Sequence, residues 1–556
     1  MTQAASTSES VTTYGQLQKL AENFWIWRAQ NQPVSSDDIP RIERPRDWVP
    51  DWSRKTIERR REELADLTRR WRELDPKSWP IDQRVDYRLI GSALARVHWE
   101  LNVTRGQESN AGFYVDQTLG LLFLSLLKPP PFDEARSGAI IRALASFGRT
   151  VTNGQENLSG KAIKPFAVAA IEKLVDVRGR LTKVADALGP LLTGVSASDL
   201  QKATNDASAA LETFHDWLNA QLAGMSEDTE VGREAYVYFL KHVALMPFTP
   251  EQLLVMGAYE WERSVAFETF EQTRNQGLPE LELFPDQEAQ IEREVIEEER
   301  ARKFLEANNI LTVPGWLKHY RNLPLPAYLE PLSFMGVTDD LTSATRLDED
   351  GISYIKRPHP DLDYFSLSIA KDPRPLIVHE GVPGHYFQMS LAWAHENTIR
   401  RRYYDSGANE GIGFYAEEMM LDAGLYDDSP RSRETIFNFA RLRALRVEVD
   451  VKLALGQFTI AQAAEYLAHT VPMDGRTAEG EAADFATAPG LGIAYEIGKI
   501  QIERMLAERR LERGDKFTLR EFHDYLWSNG NVPLSLQRWE LLSLDDDIKE
   551  VDELTK

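Results

Sequence analysis

A chain of 556 residues with 42% apolar content can bury a sizeable core, and a prior of roughly 150 residues per domain suggests three or four units. The net charge of -23 argues against a nucleic-acid partner, because neutralising phosphates takes a basic face. Cysteine is absent, which excludes disulfides, thiolate nucleophiles and Cys-containing metal sites, so any metal must be held by His, Asp or Glu.

Residues 1–13 are Ser/Thr-rich, show no basic stretch followed by an apolar one, and read as a disordered tail without a secretion signal. The longest apolar run, Leu119 to Leu127, falls far short of the roughly 18 residues of a membrane span, so no membrane partner and a cytoplasmic location are expected. Next come the helices. Ile57, Leu64, Leu67, Trp71 and Leu74 recur at helical steps, and similar patterns occupy about 81–105, 133–153, 163–187, 197–222, 230–276, 285–308, 431–456 and 488–513. Within 285–308 the acidic run Glu292, Glu294, Glu297, Glu298 and Glu299 reads as a solvated face opposite Ile291, Val295 and Phe304.

Between about Val313 and Pro375 the helical pattern breaks. Ile352–Lys356 and Tyr364–Ala370, the latter with alternating Phe365, Leu367 and Ile369, read as strands of a small antiparallel element. Its edge could hold an extended substrate by strand addition, or it could be a structural hairpin. The class expected is mainly α. Residues 14–310 form a helical, lid-like half and residues 311–556 a metal-binding half, interlocked as one helical unit.

The segment His379-Glu380-Gly381-Val382-Pro383-Gly384-His385 offers two imidazoles and a carboxylate. Its histidines are six apart instead of the four that place both on one helical face, so the helix must be interrupted. Pro383 and Gly384 supply the interruption, one by lacking an N–H and the other by tolerating unusual dihedrals. A catalytic zinc ion needs a third protein ligand, and Glu410, twenty-five residues after His385, is the natural choice. Glu417, seven positions later on the same face, could receive the second N–H of a ligating imidazole. Glu380 suits a general base toward water whose pKa a metal has lowered to about 7. His359, His395, His469 and His523 lack matching partners and are not expected to be ligands.

HEGVPGHYFQ followed by NEGIGFYAEE resembles the HE-x-x-PGHH-x-Q and EGWALYAE pair of the domain-of-unknown-function 885 family, zinc-dependent peptidase-like proteins. Their ligand logic is similar to that of the gluzincins. The resemblance extends to Arg441–Asp450 and Pro489–Gly498 and is strongest over about 310–515. It implies a large helical, gluzincin-like metallopeptidase fold with a deep cleft, one Zn2+ held by His379, His385 and Glu410, and Glu380 as base. It further implies that Tyr495 donates to a developing oxyanion and that Arg446 or Arg443 holds an anionic substrate group. An (i, i+4) pair with Asp450 is the structural alternative for Arg446. The chain departs from the family at Ala454, where a His is expected, at Asp484 and Phe485 in place of Arg-Tyr, and at Leu491 in place of Gln.

The expectation is therefore a zinc-dependent hydrolase of an amide or peptide bond. The alternatives are a zinc-dependent lyase, cyclase or hydrolase for one small metabolite, and a non-catalytic helical binding protein. The expected partner is a peptide or small-molecule substrate, with a homodimer as a candidate assembly.

Overall fold

A computed structural model describes residues 13–35 and 42–554. The tail expected over 1–13 lies outside the described residues apart from Thr13, whose N–H donates to Gln16 Oε1 at 2.7 Å at the start of the first helix, Tyr14–Asn31. The fold is mainly helical, with 69% helix and 3% strand. The periodic segments become helices close to their expected bounds. Arg54–Arg72 buries Ile57, Leu64 and Leu67 against the core, Glu134–Leu158 begins on an Asp133 cap, and Pro430–Ala454 and Gly492–Arg513 carry the downstream motifs.

The two expected halves share a core. Trp99, Tyr236, Leu240 and Leu253 from the first pack with Val447, Val451, Ile493 and Ile497 from the second. Helix Pro250–Arg274 lies against Pro430–Ala454 so closely that a β-carbon on Gly257 would meet Val447 Cβ at 2.9 Å. Gly411 and Gly498 likewise let helices Ser406–Asp422 and Gly492–Arg513 touch backbone to backbone.

The sheet differs from expectation. It has three strands, β1 Tyr320–Pro324, β2 Asp339–Asp340 and β3 Gly351–Ile355, in the order β1-β3-β2. β3 pairs parallel with β1 and antiparallel with β2, so the strand expected to offer a free edge is central and fully buried. Tyr364–Ile369 is a helix instead of a strand. Asp363 caps it by accepting from the Ser366 N–H at 2.9 Å, a local signal that overrides the period-two alternation.

The acidic helix Gln287–Ala307 is inverted relative to the expected solvated face. Glu294, Glu297 and Glu298 are buried, whereas Val295 and Ile296 are exposed. Polar partners explain the inversion. Glu298 accepts from Arg302 Nε at 2.7 Å and from the Tyr320 N–H at 3.2 Å, Glu297 pairs with Arg293 at 2.6 Å, and Glu294 accepts from Gln290 Nε2 at 3.0 Å. Burial pushes the Glu294 carboxyl up to about 8.

Candidate metal centre

The chain arrives at His379 through one π-turn, Ile377–Gly381, and leaves through helix His385–Ala394. Gly384 joins them in such close approach that a β-carbon would fall 1.7 Å from the His379 carbonyl oxygen. The glycine is needed here for space. The carbonyl of Pro383 accepts from Trp527 Nε1 at 2.6 Å, which fixes the insertion against helix Leu519–Ser528. The histidine rings are thereby brought to 4.7 Å, centroid to centroid.

Glu410 rises from the second turn of Ser406–Asp422 to meet them. Its Oε2 lies 3.5 Å from His379 Nε2 and 3.2 Å from His385 Nε2. Ligand atoms on a tetrahedral zinc ion, each about 2.0–2.1 Å from the metal, stand about 3.3–3.4 Å apart, so these separations fit a shared cation. Glu410 Oε2 is buried with no hydrogen-bond donor, as such a site requires. Glu380 Oε2 is farther out, 4.0 Å from His385 Nε2, and keeps some solvent exposure. The ligand atoms of His379, Glu380 and His385 all lie within 4.8 Å of one another. Gly413, one turn beyond Glu410, leaves room for both rings, because a β-carbon there would meet His379 Cε1 at 3.0 Å and His385 Cε1 at 3.1 Å.

Electrostatics suit a cation as well. Burial would raise the Glu410 carboxyl, but the two imidazoles hold it well below the usual carboxylate range. Burial would lower His379, yet Glu410, Glu417 and Glu380 outweigh it and push the imidazole up to about 9. Such an excess of negative charge is what a divalent ion would neutralise.

The surrounding residues divide into those brought to the centre and those engaged elsewhere. Glu417 is fully buried, with Oε1 2.7 Å from His379 Nδ1, close enough for the N–H to donate although off the ideal line. Tyr495 lies with its ring 6.2 Å from that of His379 and nearly parallel to it. Arg446 is not paired with Asp450. It forms a bidentate contact with Glu481 at 2.7 and 2.5 Å and covers the Tyr495 ring at 4.5 Å. Asp450 instead accepts from Tyr236 Oη at 2.7 Å and from the Gly490 and Gly492 N–H groups at the start of the tyrosine helix. Arg443 donates to Glu417 Oε1 at 2.9 Å. Both arginines expected to hold an anionic substrate group therefore have carboxylate partners within the protein.

The family departures take structural roles. Ala454 is buried with Trp99 and Leu240, Leu491 packs into the apolar cluster of the arginine helix, and Asp484 is exposed. His523, rejected as a ligand, is a core residue between Tyr415 Oη at 2.9 Å and the Ile310 carbonyl at 2.8 Å, and burial lowers it to about 4. Glu481 and the Gln388–Asn409 pair, which joins the two ligand helices at 3.0 Å, were not found from sequence. No local spacing marks Glu481, whereas Gln388 closes the HE-x-x-PGHH-x-Q pattern. Gly413 did carry a signal, as a small residue three positions after Glu410 on the ligand face.

Comparison with known proteins is consistent with this architecture. No curated protein matches the chain. A solved structure from Shewanella oneidensis, named a "putative lipoprotein of unknown function", matches with TM-score 0.67 and 16% identity, covering 95% of this chain and 100% of its own. A second, from Colwellia psychrerythraea and also named a "putative lipoprotein", matches with TM-score 0.74 and 14% identity, covering 97% and 98%. These likenesses establish the fold alone. The cytoplasmic expectation is withdrawn, because both neighbours are named putative lipoproteins. Among the described residues no helix is long and apolar enough to cross a membrane. The family model described as "Bacterial protein of unknown function (DUF885)" matches residues 39–275 and 350–541, most of the chain, and the protein belongs to that family.

Proposed function

We propose that the protein is a zinc-dependent hydrolase of an amide or peptide bond, with a gluzincin-like ligand set of His379, His385 and Glu410. The observation that carries this reading is the meeting of His379 Nε2, His385 Nε2 and the donor-free Glu410 Oε2 at 3.5 and 3.2 Å. When bound there, zinc would polarise the scissile carbonyl and acidify a water molecule. Glu380, beside the ligands but outside their spacing, takes the proton from the attacking water and delivers it to the leaving nitrogen. Tyr495, held against His379 by its ring and under Arg446, donates a hydrogen bond to the carbonyl oxygen as charge develops. His379, His385 and Glu410 are all buried, which limits water around the reacting groups.

Burial of the centre, together with the internal pairing of Arg446 and Arg443, favours a second reading. In it the same groups act on one small metabolite that needs no arginine anchor. Glu380→Gln tests the catalytic assignment common to both. It is expected to keep metal binding within about threefold and lower kcat by about 10²- to 10⁴-fold. A peptide library separates the readings, since broad cleavage excludes the metabolite and silence excludes the peptidase. The names of the two structural neighbours support a non-cytoplasmic setting, and recovery of the native protein in the cytosolic fraction would contradict it.

A further inference from the structure

Arg443 is buried, 5% exposed, on helix Pro430–Ala454, yet only one of its donor groups finds an acceptor. Nη2 donates to Glu417 Oε1 at 2.9 Å, while Nε and Nη1 have no hydrogen-bond partner. Three rings wall the guanidinium instead, Phe439 at 5.1 Å, Phe414 at 5.8 Å and Phe365 at 5.9 Å. Ring faces attract a cation, which offsets part of its desolvation and fixes its place. The oxygen that accepts from Arg443 also lies 2.7 Å from His379 Nδ1. A fully buried carboxylate thus stands between a caged cation and a ligand imidazole.

We propose that Arg443 is a positioning residue for the metal centre, acting through Glu417 to hold the His379 ring with Nε2 directed at the ion. The inference rests on the hydrolase reading's ligand set and replaces the role of substrate anchor expected for this arginine. Its physical basis is the cost of a buried charge. Without Arg443 the fully buried Glu417 carboxylate would lose its charge partner, and would have to turn or draw in solvent. Either movement releases the His379 ring, and loss of such an outer partner typically weakens metal binding by about 10- to 100-fold. Phe414 ties the device to the Glu410 helix, so cage and ligand share one rigid element.

The test compares wild type, Arg443→Met, Arg443→Lys, Glu417→Gln and the Arg443→Met/Glu417→Gln double variant, each full-length. Zn2+ affinity is read by chelator competition and geometry by the visible absorption of the Co2+-loaded protein. The expected results are a loss of at least about tenfold in affinity with a changed Co2+ spectrum in Arg443→Met, and substantial recovery in Arg443→Lys. The double variant should be no weaker than Glu417→Gln, because the two residues act along one path. Wild-type affinity and spectrum in Arg443→Met, with only KM raised, would overturn the proposal and restore the substrate-anchor role. If Arg443→Met does not fold, Arg443→Gln is read in the same way. A wild-type protein that takes up neither metal would overturn the ligand set together with this inference, whereas a loaded wild type beside an unaffected Arg443→Met overturns the inference alone.

Discussion

A single methyl group at Gly384 would collide with the His379 carbonyl oxygen at 1.7 Å, a backbone contact that no side-chain rotation relieves. Gly384→Ala is therefore expected to move His385 away from His379. It should weaken zinc binding by more than tenfold and destabilise the fold by about 3 kcal/mol or more, measured by chelator competition and denaturant unfolding. Near-native affinity would show that the insertion is looser than described. Much of this centre was legible in sequence because its chemistry is written in residue types. Two histidines, a downstream glutamate and a Pro-Gly break stand out by residue type and order alone. The partners of Arg446 and Arg443 were not legible. Glu481 is 35 positions from Arg446 and Glu417 is 26 from Arg443, and nothing in local spacing distinguishes such pairs from solvent-facing charges.

At the level of elements, the acidic helix shows how tertiary context overrides pattern. A run of glutamates ordinarily faces water, but here Glu298 finds Arg302 and the Tyr320 backbone, and Glu294 remains in the interior with only Gln290 as donor. Its carboxyl, raised to about 8 by burial, binds a proton more tightly folded than unfolded. The stability this contributes is complete below the ordinary carboxylate range near 4.5 and is lost as pH rises through about 8. Glu294→Gln, which keeps a neutral side chain at every pH, is expected to match wild type in thermal stability at pH 5 and exceed it at pH 9. The difference should be of order a few kcal/mol. Equal pH dependence in both proteins would show that the carboxyl titrates normally. Tyr364–Ile369 is a helix for a related reason, since its alternating apolar residues carry less weight than the Asp363 cap.

On the scale of the whole molecule, a boundary near residue 310 suits the change in sequence character but not the packing. Trp99, Leu240, Val451 and Ile493 share one apolar cluster across it, and Arg400 reaches back to Asp86 at 2.9 Å and on to Glu540 at 2.6 Å. A single cooperative calorimetric transition is expected, and two separable transitions would contradict an interlocked core. The candidate ligands come from two segments that pack in another apolar cluster, with Val378, Val382, Ile412 and Ala416, so their spacing belongs to tertiary packing and not to either segment alone. The most direct test of that spacing is zinc stoichiometry in purified protein stripped of metal and re-equilibrated with Zn2+, set beside Glu410→Ala. The geometry predicts one tightly held zinc per wild-type chain and at least a hundredfold weaker binding in Glu410→Ala; a wild type without stoichiometric zinc, or a variant that binds it equally well, would contradict the ligand set.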